Sequence, residues 1–318
     1  MNILCLGAVL CDISATTVTP EAIAKKRIGL DTLNVAGGGD ANNASIDLAT
    51  FGESVRVVSR VGDDSIGGML LTLLQAKGVD TRYVVVEEGA QTTAAILLLG
   101  EGGARTLSAR HAGACDSVCQ QDVTDEALQW ADHLHVVNVL NMPDLDGEGL
   151  EKLFARAHAA GVTTSMDLKV PRAHHENPMG LIRGALKHCD IFMPSDHEMD
   201  YLCGITDPKQ ASEFFRPFGM KIFGMKRGKD GVYVTDYAQE VIQPTIFRGT
   251  PVDTVGAGDA FTSTFVAAWK RGASLQDAAL VASAASARVL SAVGSTTGMR
   301  DCATLLSDLE ACGYSVTL

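Results

Sequence analysis

The stretch Asp253-Thr254-Val255-Gly256-Ala257-Gly258-Asp259-Ala260-Phe261 sets small residues beside an acid at a spacing suited to handling an anion. Gly256, Ala257 and Gly258 leave backbone N–H groups open to close approach. The run then enters a helical period carried by Phe261, Phe265 and Ala268, whose start adds a favourable dipole. A phosphate seat is the physical consequence. Asp259 at its mouth would repel the anion the loop attracts, and chemistry supplies a reason for it. A hydroxyl held between Asp259 and a terminal phosphate can give its proton to the carboxylate while the loop amides stabilise charge on the transferring group. On spacing alone, an aspartate that caps the helix N-terminus explains the same residue.

A second small-residue run, Ala36-Gly37-Gly38-Gly39-Asp40-Ala41-Asn42-Asn43-Ala44, lies far upstream. Gly37 and Gly38 would let a polar ligand reach backbone N–H groups, and the Asn42 amide offers a donor and an acceptor to hydroxyls. A glycine loop that merely caps a helix is the plainer reading. Lys226-Arg227-Gly228-Lys229-Asp230-Gly231 reads as a strand-to-strand turn of a common kind. The pair His174-His175 lacks a third ligand and its side chains diverge, so surface residues are expected there. Cys115 and Cys119, four apart with no second pair at ligand spacing, read as ordinary thiols.

The elements that must carry these residues alternate. Ile3 to Val9 reads as a strand, and Ala41, Ala44, Leu48 and Phe51 as a helix stopped at Gly52. Val55 to Val61 is a strand, and Ser65 to Lys77 a helix with Gly78 as its left-handed stop. Thr92 to Leu99 and Thr106 to Ala109 flank Gly100-Glu101-Gly102-Gly103 and read as a hairpin. Strand and helix alternation then resumes with 134–139, 150–160, 162–168, 191–194 and 221–226, before a helix-rich end from 258. The expectation is a three-layer, doubly wound, mostly parallel α/β core over 1–13, 36–84 and 112–318, with a small β lid from 14–35 and 85–111.

At 318 residues, 46% hydrophobic and with a net charge of −12, the chain can bury a large core and lacks the basic stripe of a nucleic-acid binder. No window reaches about 18 consecutive apolar residues, and no basic region precedes the apolar N-terminus, so neither a membrane span nor a signal peptide is expected. Eight scattered cysteines without CxxC pairs point to a reducing, cytoplasmic setting. GAGDAF is not a dinucleotide fingerprint, because Phe261 stands where the third glycine belongs, and no Walker-type phosphate loop occurs.

DTVGAGDAF resembles the second signature of the ribokinase-like PfkB carbohydrate kinases. The glycine run at 36–44, with Gly52 and Val61-Gly62-Asp63-Asp64-Ser65-Ile66-Gly67 downstream, is similar to their first signature, GG-x-x-x-N. The resemblance spans residues 7 to 264 and implies an ATP-dependent kinase acting on a sugar or sugar-like hydroxyl. Asp259 would be the base, Gly256, Ala257 and Gly258 the anion hole, and Asp12, Gly37, Gly38, Asn42 and Asn141 would line the sugar subsite. Ser195-Asp196-His197-Glu198 resembles the family's N-x-x-E motif, which assigns Glu198 to Mg²⁺ through water, with Ser195 in place of the Asn. Lys226, Gly228, Gly231 and Ser283 fall on the nucleotide side.

The family also implies a K⁺ site near Asp253 and Val255, and a homodimer through the lid sheet. Thr264 departs from the small residue usual at its position. Gly39 in place of the ribokinases' Lys, and Asn141 in place of a sugar-contacting Glu, speak against ribose itself. Arg105, Arg110 and His111 read either as ligands for an anionic substituent or as a solvated basic face. A nucleoside acceptor and a non-catalytic sugar sensor on the same fold remain as alternatives.

Overall fold

The computed structural model describes all residues except 17, 26–28, 101–104 and 172–173; of residues 105 and 106 it describes the backbone only. The chain opens with β1 (Asn2–Leu6), β2 (Leu10–Ala15), a short α1 (Pro20–Ala24), β3 (Leu33–Gly38) and α2 (Asp40–Phe51). Then come β4 (Ser54–Gly62), α3 (Ser65–Ala76), β5 (Asp80–Glu87), β6 (Ala94–Leu99) and β7 (Arg105–His111). Alternation continues through α4 (Asp125–Trp130), β8 (His133–Val139), α5 (Glu148–Ala159), β9 (Thr163–Leu168), α6 (Pro178–Leu186) and β10 (Ile191–Phe192). The remaining elements are α7 (Asp196–Cys203), α8 (Pro208–Phe215), β11 (Ile222–Lys226), β12 (Val232–Thr235), β13 (Glu240–Gln243), α9 (Ala257–Lys270), α10 (Leu275–Leu290) and α11 (Cys302–Ala311).

A nine-stranded sheet runs in the order β13-β12-β11-β10-β9-β8-β1-β4-β5. It is parallel except at the β11-β12-β13 edge. Its inner strands bury both faces, as those of a parallel sheet must, while the edge strands β5 and β13 stay partly exposed. In β1, Ile3 and Cys5 enter the core shared with α2, α3, α9, α10 and α11. Leu4 and Leu6 enter the core shared with α4 to α8. This is the three-layer doubly wound architecture. Because β8 and β4 lie on opposite sides of β1, the strand order reverses there, and the carboxyl ends of β1, β8 and β9 open onto the crevice where α/β sheets bind ligands.

A separate four-stranded sheet has the order β3-β2-β6-β7 and contains the expected hairpin, β6 paired antiparallel with β7. Its strands reach further into the chain than the expected insert. Residues 10–13 and 36–38, placed in the core by sequence, pair within this small sheet, whereas residues 85–87 finish β5 of the large one. The physical reason is that β2 begins only three residues after β1 and β3 runs directly into α2, so the crossings between sheets carry no loop that a sequence reading could detect.

Candidate active site

Gly256 precedes α9 at φ +82°, in the left-handed region, and a Cβ there would collide with the Ser295 carbonyl oxygen, so only glycine allows this turn. Asp259 is the third residue of α9. It does not cap its own helix: its Oδ2 accepts from Asn43 Nδ2 of α2 at 2.8 Å. The capping alternative is thereby set aside. Asn43 Oδ1 accepts from Ser295 Oγ at 2.8 Å and from Asn42 Nδ2 at 3.2 Å, which orients its amide with the NH₂ toward Asp259. Burial raises the Asp259 carboxyl to about 7 and Asp40 adds to the rise, while Lys169 and the Asn43 hydrogen bond oppose it. A carboxylate poised near neutrality can accept a hydroxyl proton.

The expected sugar ligands Gly37, Gly38 and Asn42 lie one residue out of register. Gly39 and Asn43 line the cavity instead, with Asp12 and Asp40. Three consecutive glycines and two consecutive asparagines satisfy GG-x-x-x-N in either of two registers, and a helix turns about 100° per residue, so only one asparagine faces α9. Asn42 is buried, and among the described residues its Oδ1 has no hydrogen-bond partner. Gly38 has the Asp12 carboxylate packed over its Cα, and a Cβ at Gly37 would meet Asn42 Oδ1 at 2.8 Å. At the position read as glycine in place of the ribokinases' Lys, the side chain in the site is therefore that of Asp40.

Asn141 is displaced too. Its Nδ2 donates to the Lys169 carbonyl at 2.9 Å, and Asn138, in the left-handed region at φ 65°, lines the cavity in its stead. Arg110 is forked onto Asp116, one arm at 2.8 Å, and so is committed within the lid; His111 is exposed, and the Arg105 side chain lies outside the described residues. His174 is exposed as expected, but His175 is half-buried with Nε2 3.0 Å from the Leu140 carbonyl.

Two cavities meet at Gly258 and Lys226. One, of about 790 Å³, lies between the small sheet and the carboxyl ends of the parallel strands; Asp12, Ser195, Glu198, Lys226, Gly228, Val255, Gly256, Gly258 and Asp259 all reach it. The other, of about 410 Å³, is lined by Gly231, Ala257, Phe261 and Ser283 and shares Lys226, Gly228 and Gly258 with the first. The Ser283 hydroxyl is spent on the Ala279 carbonyl at 2.7 Å. Asp253 reaches neither cavity. Its carboxylate accepts from Val255 N and Gly294 N, both at 3.0 Å, and so fastens the loop before α9.

Sequence reading did not single out Asp167, Lys169, Asp40, Asn43 and Thr262. Asp167 Oδ2 accepts from Lys226 Nζ at 2.6 Å and from Thr262 Oγ1 at 2.8 Å. Burial alone would pull Lys226 down, but Asp167, Glu198 and Asp259 together outweigh it and hold the ammonium charged. Glu198 closes a capping box at α7, its Oε2 accepting from Ser195 N at 2.6 Å, and burial lifts its carboxyl above the usual range. The signal that would have found Asp167 is positional: a lone acid at the carboxyl end of a parallel strand. Carboxylate oxygens of this kind suit a hard cation. Among the described residues no cluster of three or more His, Cys, Asp or Glu forms a metal cage.

The family model for the pfkB family carbohydrate kinases matches residues 1–302. The chain is 27% identical to the ribokinase of Bacillus subtilis over 94% of its own length and 96% of that protein's. It is 26% identical to the 2-dehydro-3-deoxygluconokinase of Thermoproteus tenax over 92% and 90%. A crystal structure from E. coli, described as a ribokinase II in complex with ATP and Mg²⁺, superposes with a TM-score of 0.83 at 22% identity, covering 98% of this chain and 99% of that one. With the model matched over nearly the whole chain, this protein belongs to the PfkB family of carbohydrate kinases.

Proposed function

We propose that the chain transfers the terminal phosphoryl group of Mg·ATP to a hydroxyl of a sugar or sugar-like acceptor, with Asp259 as general base. The observation that carries this reading is the Asn43–Asp259 hydrogen bond, which holds a carboxylate of raised pKa where the two cavities meet. The acceptor lies in the larger cavity under the small sheet, against Asp12, Gly39 and Asn43. The nucleotide lies in the smaller one, against Gly231, Ala257 and Ser283. The acceptor oxygen attacks phosphorus as its proton passes to Asp259, the bond from phosphorus to the bridging oxygen breaks, and ADP leaves with the electron pair. Backbone N–H groups at Gly256 to Gly258 meet the charge that spreads over the transferring oxygens.

Mg²⁺, when bound with the nucleotide, supplies charge neutralisation. Glu198 and Asp167 are the carboxylates placed to support it through water. A K⁺ effect is expected through the loop that Asp253 fastens, read as a rise in turnover when K⁺ replaces a bulky organic cation. Relatives named for ribose and for 2-dehydro-3-deoxygluconate are about equally similar, so the acceptor is left to experiment.

The small sheet acts as a lid, excluding water from the transfer. Its outer face exposes Leu33 and Val35 of β3, Ile96 of β6 and Leu107 of β7 at 44–63% of their surface, and Val35 and Ile96 sit in register on either side of Ile13. A second copy of the chain covering this face gives the expected homodimer, which sedimentation and a Val35→Lys variant test. All eight cysteines are free thiols, which suits a reducing cytoplasm.

The deciding experiment is ADP release from Mg·ATP across pentoses, hexoses, ketoses, sugar acids and nucleosides, with Asp259→Asn in parallel. Turnover that collapses in the variant supports the reading. Binding of one panel member without turnover in the wild type would instead favour a sensor.

A further inference from the structure

Lys169 follows β9, its N–H donating to the Val139 carbonyl at 3.0 Å and its carbonyl held by Asn141 at 2.9 Å, so both ends of its peptide environment are tied to the chain after β8. From this anchored position its side chain reaches into the larger cavity, which Asp40, Glu198 and Asp259 also line. Its Nζ lies 3.1 Å from Asp40 Oδ1. The Asp40 side chain is 10% exposed and that of Lys169 is 54% exposed, so the pair is a buried acid at the start of α2 reached by an ammonium that still faces open cavity. Asp40 first, and Asp259 and Glu198 with it, hold Lys169 firmly charged.

The placement is informative. Lys226, the other lysine deep in the site, spends its donors on Asp167 and Thr262. Lys169 has one described partner, on a flexible four-carbon stem with three donors. It lies beside the base and the carboxylate on the metal side, the region a terminal phosphoryl group crosses under the reading proposed above. An ammonium opposite the anion-binding turn would complete a charge-stabilising shell around the three equatorial oxygens.

We propose that Lys169 is a catalytic residue of this kinase that exchanges Asp40 for the terminal phosphate of the nucleotide and stabilises that group during transfer. This rests on the phosphoryl-transfer reading. Asp40 then serves as the parking acid that holds the ammonium in place before the nucleotide arrives.

The test is calorimetric titration of the full chain with Mg·ADP and with the non-hydrolysable analogue Mg·AMPPNP. It compares wild type with Lys169→Met, Lys169→Arg and Asp40→Asn, with thermal melts to establish folding. Lys169→Met should weaken AMPPNP about tenfold or more, leave ADP within about twofold and lower kcat by roughly 10²-fold. Lys169→Arg should recover part of both, and Asp40→Asn should tighten AMPPNP alone.

Equal effects on the two nucleotides, or none, would overturn the proposal. So would a loss confined to the KM of the acceptor, which would make Lys169 a ligand for an anionic group on the acceptor instead. If the wild type releases no ADP with any acceptor, the kinase reading and the catalytic role fall together, while the difference between AMPPNP and ADP still decides whether Lys169 holds the terminal phosphate.

Discussion

Asn43 of α2 and Asp259 of α9, 216 residues apart in sequence, are joined by a 2.8 Å hydrogen bond whose donor direction is fixed by Ser295 behind it. The bond brings the two glycine-rich runs of the chain together at one wall of the larger cavity.

That geometry separates the two asparagines. Asn43→Ala should lower kcat/KM by about 10–10²-fold and move the acid limb of the pH profile upward, because the bond it removes is one that favours the ionised Asp259. Asn42→Ala should leave the pH profile in place and cost about 1 kcal/mol of stability instead. A profile that shifts in Asn42→Ala and not in Asn43→Ala would return the site to the other register.

Under the proposed mechanism the ionisation of Asp259 sets the pH dependence of the wild type. As the base must be charged, kcat/KM should fall as pH drops through about 7. Asp40 is the second cause of the raised value, so Asp40→Asn should carry the limb to lower pH. Asp259→Asn should lose at least about 10³-fold in rate and yet be more stable at pH 8. The folded pKa lies above the unfolded one, so this carboxyl's favourable contribution is present below about pH 4 and is lost as pH rises through about 7. The gain, roughly 1–3 kcal/mol at pH 8, should vanish near pH 4, which urea titrations at the two pH values check.

Asp47, one turn beyond Asn43 on α2, is fully buried, and among the described residues neither of its carboxylate oxygens has a hydrogen-bond partner. Burial, with Asp259 adding to it, holds it well above the ordinary carboxylate range. By the same sign, Asp47→Asn should stabilise the fold at pH 8 and have little effect near pH 4. An unchanged urea midpoint at pH 8 would mean that water or another partner satisfies the acid.

Two glycines of the turn that leads to Asp259 should fail in different ways. Gly256→Ala meets the Ser295 carbonyl at a positive φ and should cost about 1–3 kcal/mol together with activity. The Cβ of Gly258→Val faces open cavity, its nearest neighbour being Lys226 Nζ at 3.8 Å. That variant should keep its melting temperature and lose nucleotide binding, read by calorimetry with Mg·ADP.

Much of this was legible in the residues. The alternation of short apolar runs with helical periods fixed the layered parallel sheet, because strands buried on both faces and helices buried on one leave different periods in the chain. Gly256 to Asp259 stood out as a glycine turn ending in an acid, which spacing alone left open between an anion seat with a base and a helix cap, and Asp259 turns out to bond to Asn43 rather than to cap α9. Local chemistry of that kind is written in adjacent residues.

What adjacency cannot carry is rotation and approach. Which of Asn42 and Asn43 faces Asp259 depends on how α2 is turned against α9, and the doubled glycines and asparagines leave that open in one dimension. Asn141 looked like a sugar ligand and is instead the clamp on Lys169, because the loop after β8 turns its amide toward the neighbouring strand end. Asp167, Lys169 and Lys226 are ordinary strand-end residues until the parallel sheet sets their carboxyl ends side by side. Only then is the Asp259 carboxyl buried beside Asp40 and Lys169, and burial first, with Asp40 adding to it, raises that carboxyl to about 7.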